Sequence, residues 1–306
     1  MKTIRIGTRD SKLALWQANL VKSRLEAQGY TCVLVAVKSA GDIDLSTPLN
    51  QFGGTGVFTK ILDDALFENK VDIAVHSLKD YPTQAPHGIQ MAAVLERGSV
   101  EDILVYRENP AFLDASKALV ATGSIRRKAQ WKSRFPEHEN PNLRGNVQTR
   151  LNKLTQGNWD GAIFAKAGLE RIGILPDNHL SLDWMIPAPA QGIVGITCRE
   201  GEEGVYEGLR AINHEETELR AKVERDFLRA VEGGCSAPVG AFAQIKGDKL
   251  LLKAGVFSLD GRQKVILENE VPLQESKSLG ISLAEEALYQ GAKAIMENIK
   301  NESGES

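Results

Sequence analysis

Strand-like and helix-like segments alternate through residues 1–95 and again through 99–189, and three strand patterns then follow one another directly. Alternation of that kind builds open α/β sheets covered by helices, whereas successive strands joined by tight turns build an antiparallel sheet. The expected fold is therefore two α/β lobes followed by a smaller α+β domain with a three-stranded antiparallel sheet. Lobe 1 takes in 1–95 and a returning segment at 193–212, lobe 2 is 99–189, and the last domain is 215–306. At 306 residues the chain is also too long for one small core.

In the first lobe, 3–7 reads as a strand and Thr8-Arg9-Asp10-Ser11 as a turn, with Ser11 as the cap of a helix over 12–28. Leu13, Trp16, Leu20 and Leu25 lie near helical spacing, and Gly29 ends the segment. A strand at 31–38 follows. The loop Gly53-Gly54-Thr55-Gly56 opens a helix over 57–69 whose expected buried stripe is Phe58, Leu62, Ala65 and Leu66. A buried strand at 71–75 then delivers His76-Ser77-Leu78-Lys79-Asp80 to its C-terminal end, the edge at which open α/β sheets bind ligands.

In the second lobe, a strand at 118–121 leads through Thr122-Gly123-Ser124, with Ser124 as cap, into a helix whose first turn holds Arg126 and Arg127. A helix at 146–155, a strand at 161–165 and the break Pro187-Ala188-Pro189-Ala190-Gln191-Gly192 complete it, and 193–198 returns a strand to the first lobe. The last domain opens with a helix at 215–231, with Leu219, Val223, Phe227 and Val231 on one face and an expected Glu218–Lys222 pair. Strands follow at 239–245, 249–257 and 264–271, the last two joined by the Asp260-Gly261 hairpin signal. One long helix at 279–299 is expected to close the chain.

Composition narrows the function. The chain has 42% hydrophobic and 25% charged residues and a net charge of −3, and its aromatics amount to 6%, a balance that disfavours nucleic acid. No apolar stretch reaches the roughly 20 residues of a spanning helix, so no membrane partner is expected. Cys32, Cys198 and Cys235 form no Cys-x-x-Cys pair, which argues against a zinc site or a disulfide framework and for a cytoplasmic protein. Nothing points to a subunit interface, so a monomer is expected.

Arginines gather at segment junctions: Arg9, Arg126, Arg127, Arg144, Arg150 and Arg171. Guanidinium forks and helix N-termini both suit anions, and several of them together suit a ligand with many carboxylates. The alternative is that some simply pair with Asp or Glu. A phosphate loop is absent, because Gly53-Gly54-Thr55-Gly56 lacks the following Lys-Ser/Thr. Asp80, at the end of a buried strand, is suited to proton handling or to stabilising a developing cation; a turn-forming Asp before Tyr81-Pro82 is the other reading. His76 at a strand end reads more readily as a structural residue than as a general base. Cys235 sits in Glu232-Gly233-Gly234-Cys235, a turn that lets an attached group swing.

Two lobes joined by two crossings imply a central cleft, as in periplasmic binding proteins. A two-lobed, non-catalytic binder of a polycarboxylate metabolite is therefore one reading, although such a binder has no need of Cys235. A hydrolase with a Cys235 nucleophile is another, and it requires a base such as His76 or His214 beside the thiol.

Motifs along the whole chain resemble the porphobilinogen deaminase (hydroxymethylbilane synthase) family. They are Ile6-Gly7-Thr8-Arg9 with Leu13-Ala14-Leu15-Trp16-Gln17, Val75-His76-Ser77-Leu78-Lys79-Asp80-Tyr81-Pro82, Gly123-Ser124-Ile125-Arg126-Arg127, Leu143-Arg144-Gly145-Asn146 and Thr149-Arg150-Leu151. Ala167-Gly168-Leu169-Glu170-Arg171, Pro189-Ala190-Gln191-Gly192 and Glu232-Gly233-Gly234-Cys235 continue the series. The resemblance implies a transferase that joins four porphobilinogen molecules head to tail into hydroxymethylbilane, releasing ammonia. It also implies one dipyrromethane cofactor per chain, tethered to Cys235 by a thioether. By motif, Ser77, Lys79, Asp80, Ser124, Arg126, Arg127, Arg144 and Gly145 would hold that cofactor, with Asp80 catalytic. Arg9, Ser11, Phe58, Arg144, Arg150, Arg171 and Gln191 would bind substrate. Thr55 and Gln51 stand where relatives commonly carry lysine, which weakens the expectation of a basic lid.

Overall fold

The computed structural model describes residues 3–37, 57–231 and 237–303. In chain order the strands are β1 (Ile4–Arg9), β2 (Cys32–Val37), β3 (Ile73–Ser77), β4 (Ile89–Val94), β5 (Asp102–Tyr106), β6 (Val120–Ala121), β7 (Gly161–Ala165), β8 (His179–Ser181), β9 (Val194–Arg199), β10 (Val239–Lys246), β11 (Lys249–Phe257) and β12 (Lys264–Pro272). The helices are α1 (Lys12–Glu26), α2 (Val57–Phe67), α3 (Ile125–Arg134), α4 (Val147–Gln156), α5 (Lys166–Arg171), α6 (Glu203–Arg210), α7 (Glu215–Ala230), α8 (Leu279–Ala287) and α9 (Lys293–Ser303). They divide into two compact units. One is Met1–Gly98 with Arg171–Gly173 and Gln191–Glu218; the other is Ser99–Glu170 with Ile174–Ala190 and Leu219–Ser306.

The first unit holds a mixed sheet in the order β2-β1-β3-β9-β4. β1 runs parallel to β2 and β3, while β9 returns antiparallel between β3 and β4, in the place expected of the 193–198 segment. Ile6, Ile73 and Ile196 are fully buried beneath Val21 and Leu25 of α1. Each such side chain contributes roughly 1.5–3 kcal/mol by leaving water. The buried face of α1 differs from the expected one: it is Gln17, Ala18, Val21 and Leu25, and Trp16 is 37% exposed. The polar Gln17 turns inward because its amide has a partner there, Ser77 at the end of β3.

The second unit holds two sheets. One runs β6-β7-β5-β8, with β5 antiparallel to both neighbours and β6 parallel to β7. The expected strand at 118–121 is reduced to Val120–Ala121, preceded by a single bridge from Leu119 to Glu139. The other sheet is the expected three-stranded antiparallel β10-β11-β12, packed on Val223, Phe227 and Val231. Two further expectations fail. Glu218 pairs with Arg210 and Asn213 rather than with Lys222, which turns to Asp226. The last helix is broken between α8 and α9, where Gly291 takes φ 114°, a left-handed conformation that glycine alone reaches cheaply. The fold class is α/β with a C-terminal antiparallel sheet. No helix among the described residues is long and apolar enough to cross a membrane.

Candidate active site

β3 ends at Ser77 and the chain tightens at once into a 3₁₀ turn, Leu78–Asp80. Each neighbour of Asp80 is tethered. The Gln17 amide donates to Ser77 Oγ at 2.9 Å, the Leu78 amide donates to the Ile193 carbonyl at 3.0 Å, and Lys79 Nζ donates to Gln191 Oε1 at 3.4 Å. The Tyr81 amide donates to the Leu78 carbonyl at 3.2 Å. Asp80 itself is exposed, and its carboxylate has no partner among the described residues. A fixed backbone thus presents an anionic group that the protein does not consume. Beneath it His76 is buried, its Nε2 3.0 Å from Thr197 Oγ1, and burial pushes its pKa down to about 3. A ring held neutral in that way serves structure rather than proton transfer, the preferred sequence reading.

The same unit carries Arg9 at the half-buried end of β1 and Ser11 as the cap of α1, where its hydroxyl accepts from the Ala14 amide at 3.3 Å. Arg171 ends α5, donates to the Gly192 carbonyl at 2.6 Å and lies 5.4 Å over the Trp16 ring. That contact makes Trp16 a cation partner rather than core packing. Gln191 is fully buried, and its carbonyl accepts from Arg97 Nε at 2.8 Å.

In the second unit Ser124 caps α3, accepting from the Arg127 amide at 3.4 Å. Arg126 and Arg127 occupy the first turn of that helix and are buried. Cations there oppose the helix dipole. What compensates is Asp102, the first residue of β5: its Oδ2 accepts from Arg126 Nη1 at 2.7 Å and its Oδ1 from Arg127 Nε at 2.9 Å. Arg126 Nη1 also reaches the Ile186 carbonyl at 2.7 Å, and Arg127 Nη1 the Ile163 carbonyl at 3.0 Å. Nε and Nη2 of Arg126 have no acceptor among the described residues. The Asp102 carboxylate thus accepts from both guanidiniums at the start of α3.

Arg144 is half-buried; its carbonyl accepts from Lys153 Nζ at 3.2 Å, and its guanidinium has no partner among the described residues. Gly145 takes φ 113°, and a Cβ there would come within 2.8 Å of Thr149. Its carbonyl accepts from Arg150 Nε at 2.7 Å. Cys235, Thr55, Gln51 and the side chain of Phe58 lie outside the described residues.

Sequence reasoning assigned no role to Gln17, Asp63, Asp102 or Glu224, all buried polar groups. Glu224 accepts from the Ala190 and Ala243 amides at 2.7 Å each. The signal for Asp102 was a charged residue at the head of the apolar run Ile103-Leu104-Val105. Among the described residues no group of His, Cys, Asp and Glu is arranged to hold a metal ion.

Residues 4–207 match the family model described as porphobilinogen deaminase, dipyrromethane cofactor binding domain, and 218–289 match the porphobilinogen deaminase C-terminal domain. The chain is 41% identical over 304 residues to a porphobilinogen deaminase of Geotalea uraniireducens (strain Rf4), covering 98% of this chain and 95% of the relative. Among solved structures it is similar to a probable amino-acid transporter extracellular-binding protein from Bacillus subtilis, at 14% identity and TM-score 0.44, over 69% of this chain and 91% of that one. An ancestral cationic amino acid solute-binding protein gives 16% identity and TM-score 0.43, over 68% and 87%.

Proposed function

The chain belongs to the porphobilinogen deaminase family, and from that premise we propose which of its residues carry the reaction. It is a transferase of tetrapyrrole biosynthesis that joins four porphobilinogen molecules head to tail into hydroxymethylbilane, with release of ammonia. The observation that carries the residue assignment is the exposed Asp80 carboxylate, without a partner among the described residues, on a turn whose neighbours are tethered.

The donors on the chain suit a dipyrromethane. Two linked pyrroles present four carboxylates and two N–H groups. Among the described residues Nε and Nη2 of Arg126 and the guanidinium of Arg144 meet no acceptor, and Asp80 is an acceptor of the kind a pyrrole N–H needs. In this reading the cofactor is tethered by a thioether to Cys235 and held by Ser77, Lys79, Asp80, Ser124, Arg126, Arg127, Arg144 and Gly145. When bound, it supplies the free α-carbon from which the tetrapyrrole grows.

Substrate carboxylates are bound by Arg9, Ser11, Arg144, Arg150 and Arg171, with Gln191 and Phe58 as further contacts. Asp80 accepts the N–H of the incoming pyrrole and stabilises the positive charge that develops as ammonia leaves and the azafulvene forms. A fixed carboxylate needs no reorganisation as that charge appears, which is why the anchored turn matters. A bound dipyrromethane would supply the α-carbon nucleophile, and Asp80 with the arginines would hold the cationic substrate in line with it. Hydrolysis finally frees the product. We assign the enzyme to the cytoplasm on its cysteine usage, three cysteines without a Cys-x-x-Cys pair, and take it to act as a monomer.

The test is the intact mass of purified wild-type and Cys235→Ser protein. The wild type is expected to exceed its sequence mass by two linked pyrrole units and to consume porphobilinogen with one ammonia released per unit. Cys235→Ser is expected to show the bare sequence mass and no turnover. A wild-type enzyme that turns over at its bare mass would refute the tether.

A further inference from the structure

Below the Asp80 turn lies a buried polar array for which the reaction above has no use. Asp63 on α2 is buried, and its Oδ1 accepts from the Tyr81 hydroxyl at 3.4 Å. Tyr81 is 1% exposed, and its ring lies against His76 with centroids 4.6 Å apart and planes tilted by 49°. His76 in turn meets Thr197 of β9 through Nε2 at 3.0 Å. The array therefore links α2, the residue after Asp80, β3 and β9. Burying an aspartate, a tyrosine hydroxyl and an imidazole together is costly unless each is satisfied, so the cluster is not cheap core filling.

We propose that Tyr81, held at its hydroxyl by Asp63 and at its ring by His76, is a positioning residue that fixes where the Asp80 carboxylate points. The inference rests on the assignment of Asp80 as the catalytic group. Tyr81 is adjacent to Asp80 in the chain, and its own amide closes the 3₁₀ turn onto Leu78. Rotation of the Tyr81 side chain would thus be transmitted to the peptide that carries Asp80. Burial pushes the Asp63 carboxyl up to about 6, so above that pH it is an ionised acceptor, which strengthens the hydrogen bond from the tyrosine. Misplacement of a reacting group by about 1 Å can cost two orders of magnitude in rate, so a residue that never touches substrate can still govern kcat.

The test is a double-mutant cycle on the full-length, cofactor-loaded enzyme. Tyr81→Phe keeps the ring and removes the hydroxyl. It is expected to lower kcat roughly tenfold while KM stays within about twofold, and to have no further effect in an Asp80→Asn background. Asp63→Leu is expected to reproduce that loss, and Asp63→Asn, which keeps an acceptor, to lose less; this pair serves if Tyr81→Phe does not fold. A Tyr81→Phe enzyme that melts earlier but keeps wild-type kcat, or whose loss adds fully to that of Asp80→Asn, would overturn the proposal. If Asp80→Asn alone retains wild-type kcat, the assignment of Asp80 fails, and a Tyr81→Phe loss persisting in that background overturns the positioning role as well.

Discussion

The turn that carries Asp80 and the start of α3 that carries Arg126 and Arg127 treat charge in opposite ways. At the first, one carboxylate stands exposed with no partner among the described residues while its neighbours are pinned, and the imidazole below it is kept neutral. At the second, two guanidiniums are buried at a helix N-terminus, where the dipole disfavours them, and both donate to the carboxylate of Asp102. The contrast shows two routes to a prepared charge. An exposed group needs only a rigid base, whereas a buried one needs a counter-charge close to it. Both places break a local rule of stability, as functional sites tend to do.

The largest effect that probes this contrast is on folding. Asp102→Asn leaves two buried guanidiniums without their carboxylate and is expected to cost about 3–5 kcal/mol in a urea unfolding series. The surface position of Asp80 predicts that Asp80→Asn barely moves the same curve. Equal losses at the two sites would erase the distinction between them.

A smaller effect concerns pH. The pKa of His76 is about 3 when folded against 6.5 for the free ring. The unfolded chain therefore binds the extra proton, and the stability that follows from a neutral His76 is present above pH 6.5 and lost as pH falls below it. Between pH 7 and 5 the loss is about 2 kcal/mol, from roughly 1.4 kcal/mol per pH unit. His76→Gln is expected to flatten that limb of the stability profile. An unaltered slope would mean that the floor of the Asp80 turn is not kept free of charge.

The alternation of strand and helix, the returning β9 and the antiparallel β10-β11-β12 were legible because hydrophobic period and turn residues act locally. Ser11 and Ser124 were legible as caps for the same reason. What escaped depends on partners far along the chain. Gln17 faces inward because of Ser77, 60 positions away, and Asp102 is explained only by arginines 24 and 25 positions on. The last helix looked continuous because a single glycine inside a helical pattern is a weak signal, and its positive φ at Gly291 appears only in three dimensions. Asp63 was read past because an acidic residue on an amphipathic helix is expected to face water, and the tyrosine that draws it inward follows 18 positions later.

The most direct test of the account is kcat for Asp80→Asn and Asp80→Glu in enzyme whose cofactor loading has been checked by intact mass. The account predicts a fall of at least a hundredfold for the asparagine variant, with part of the rate kept by the glutamate variant, since it retains a displaced carboxylate. An asparagine variant that carries its cofactor and turns over within a few-fold of wild type would contradict it.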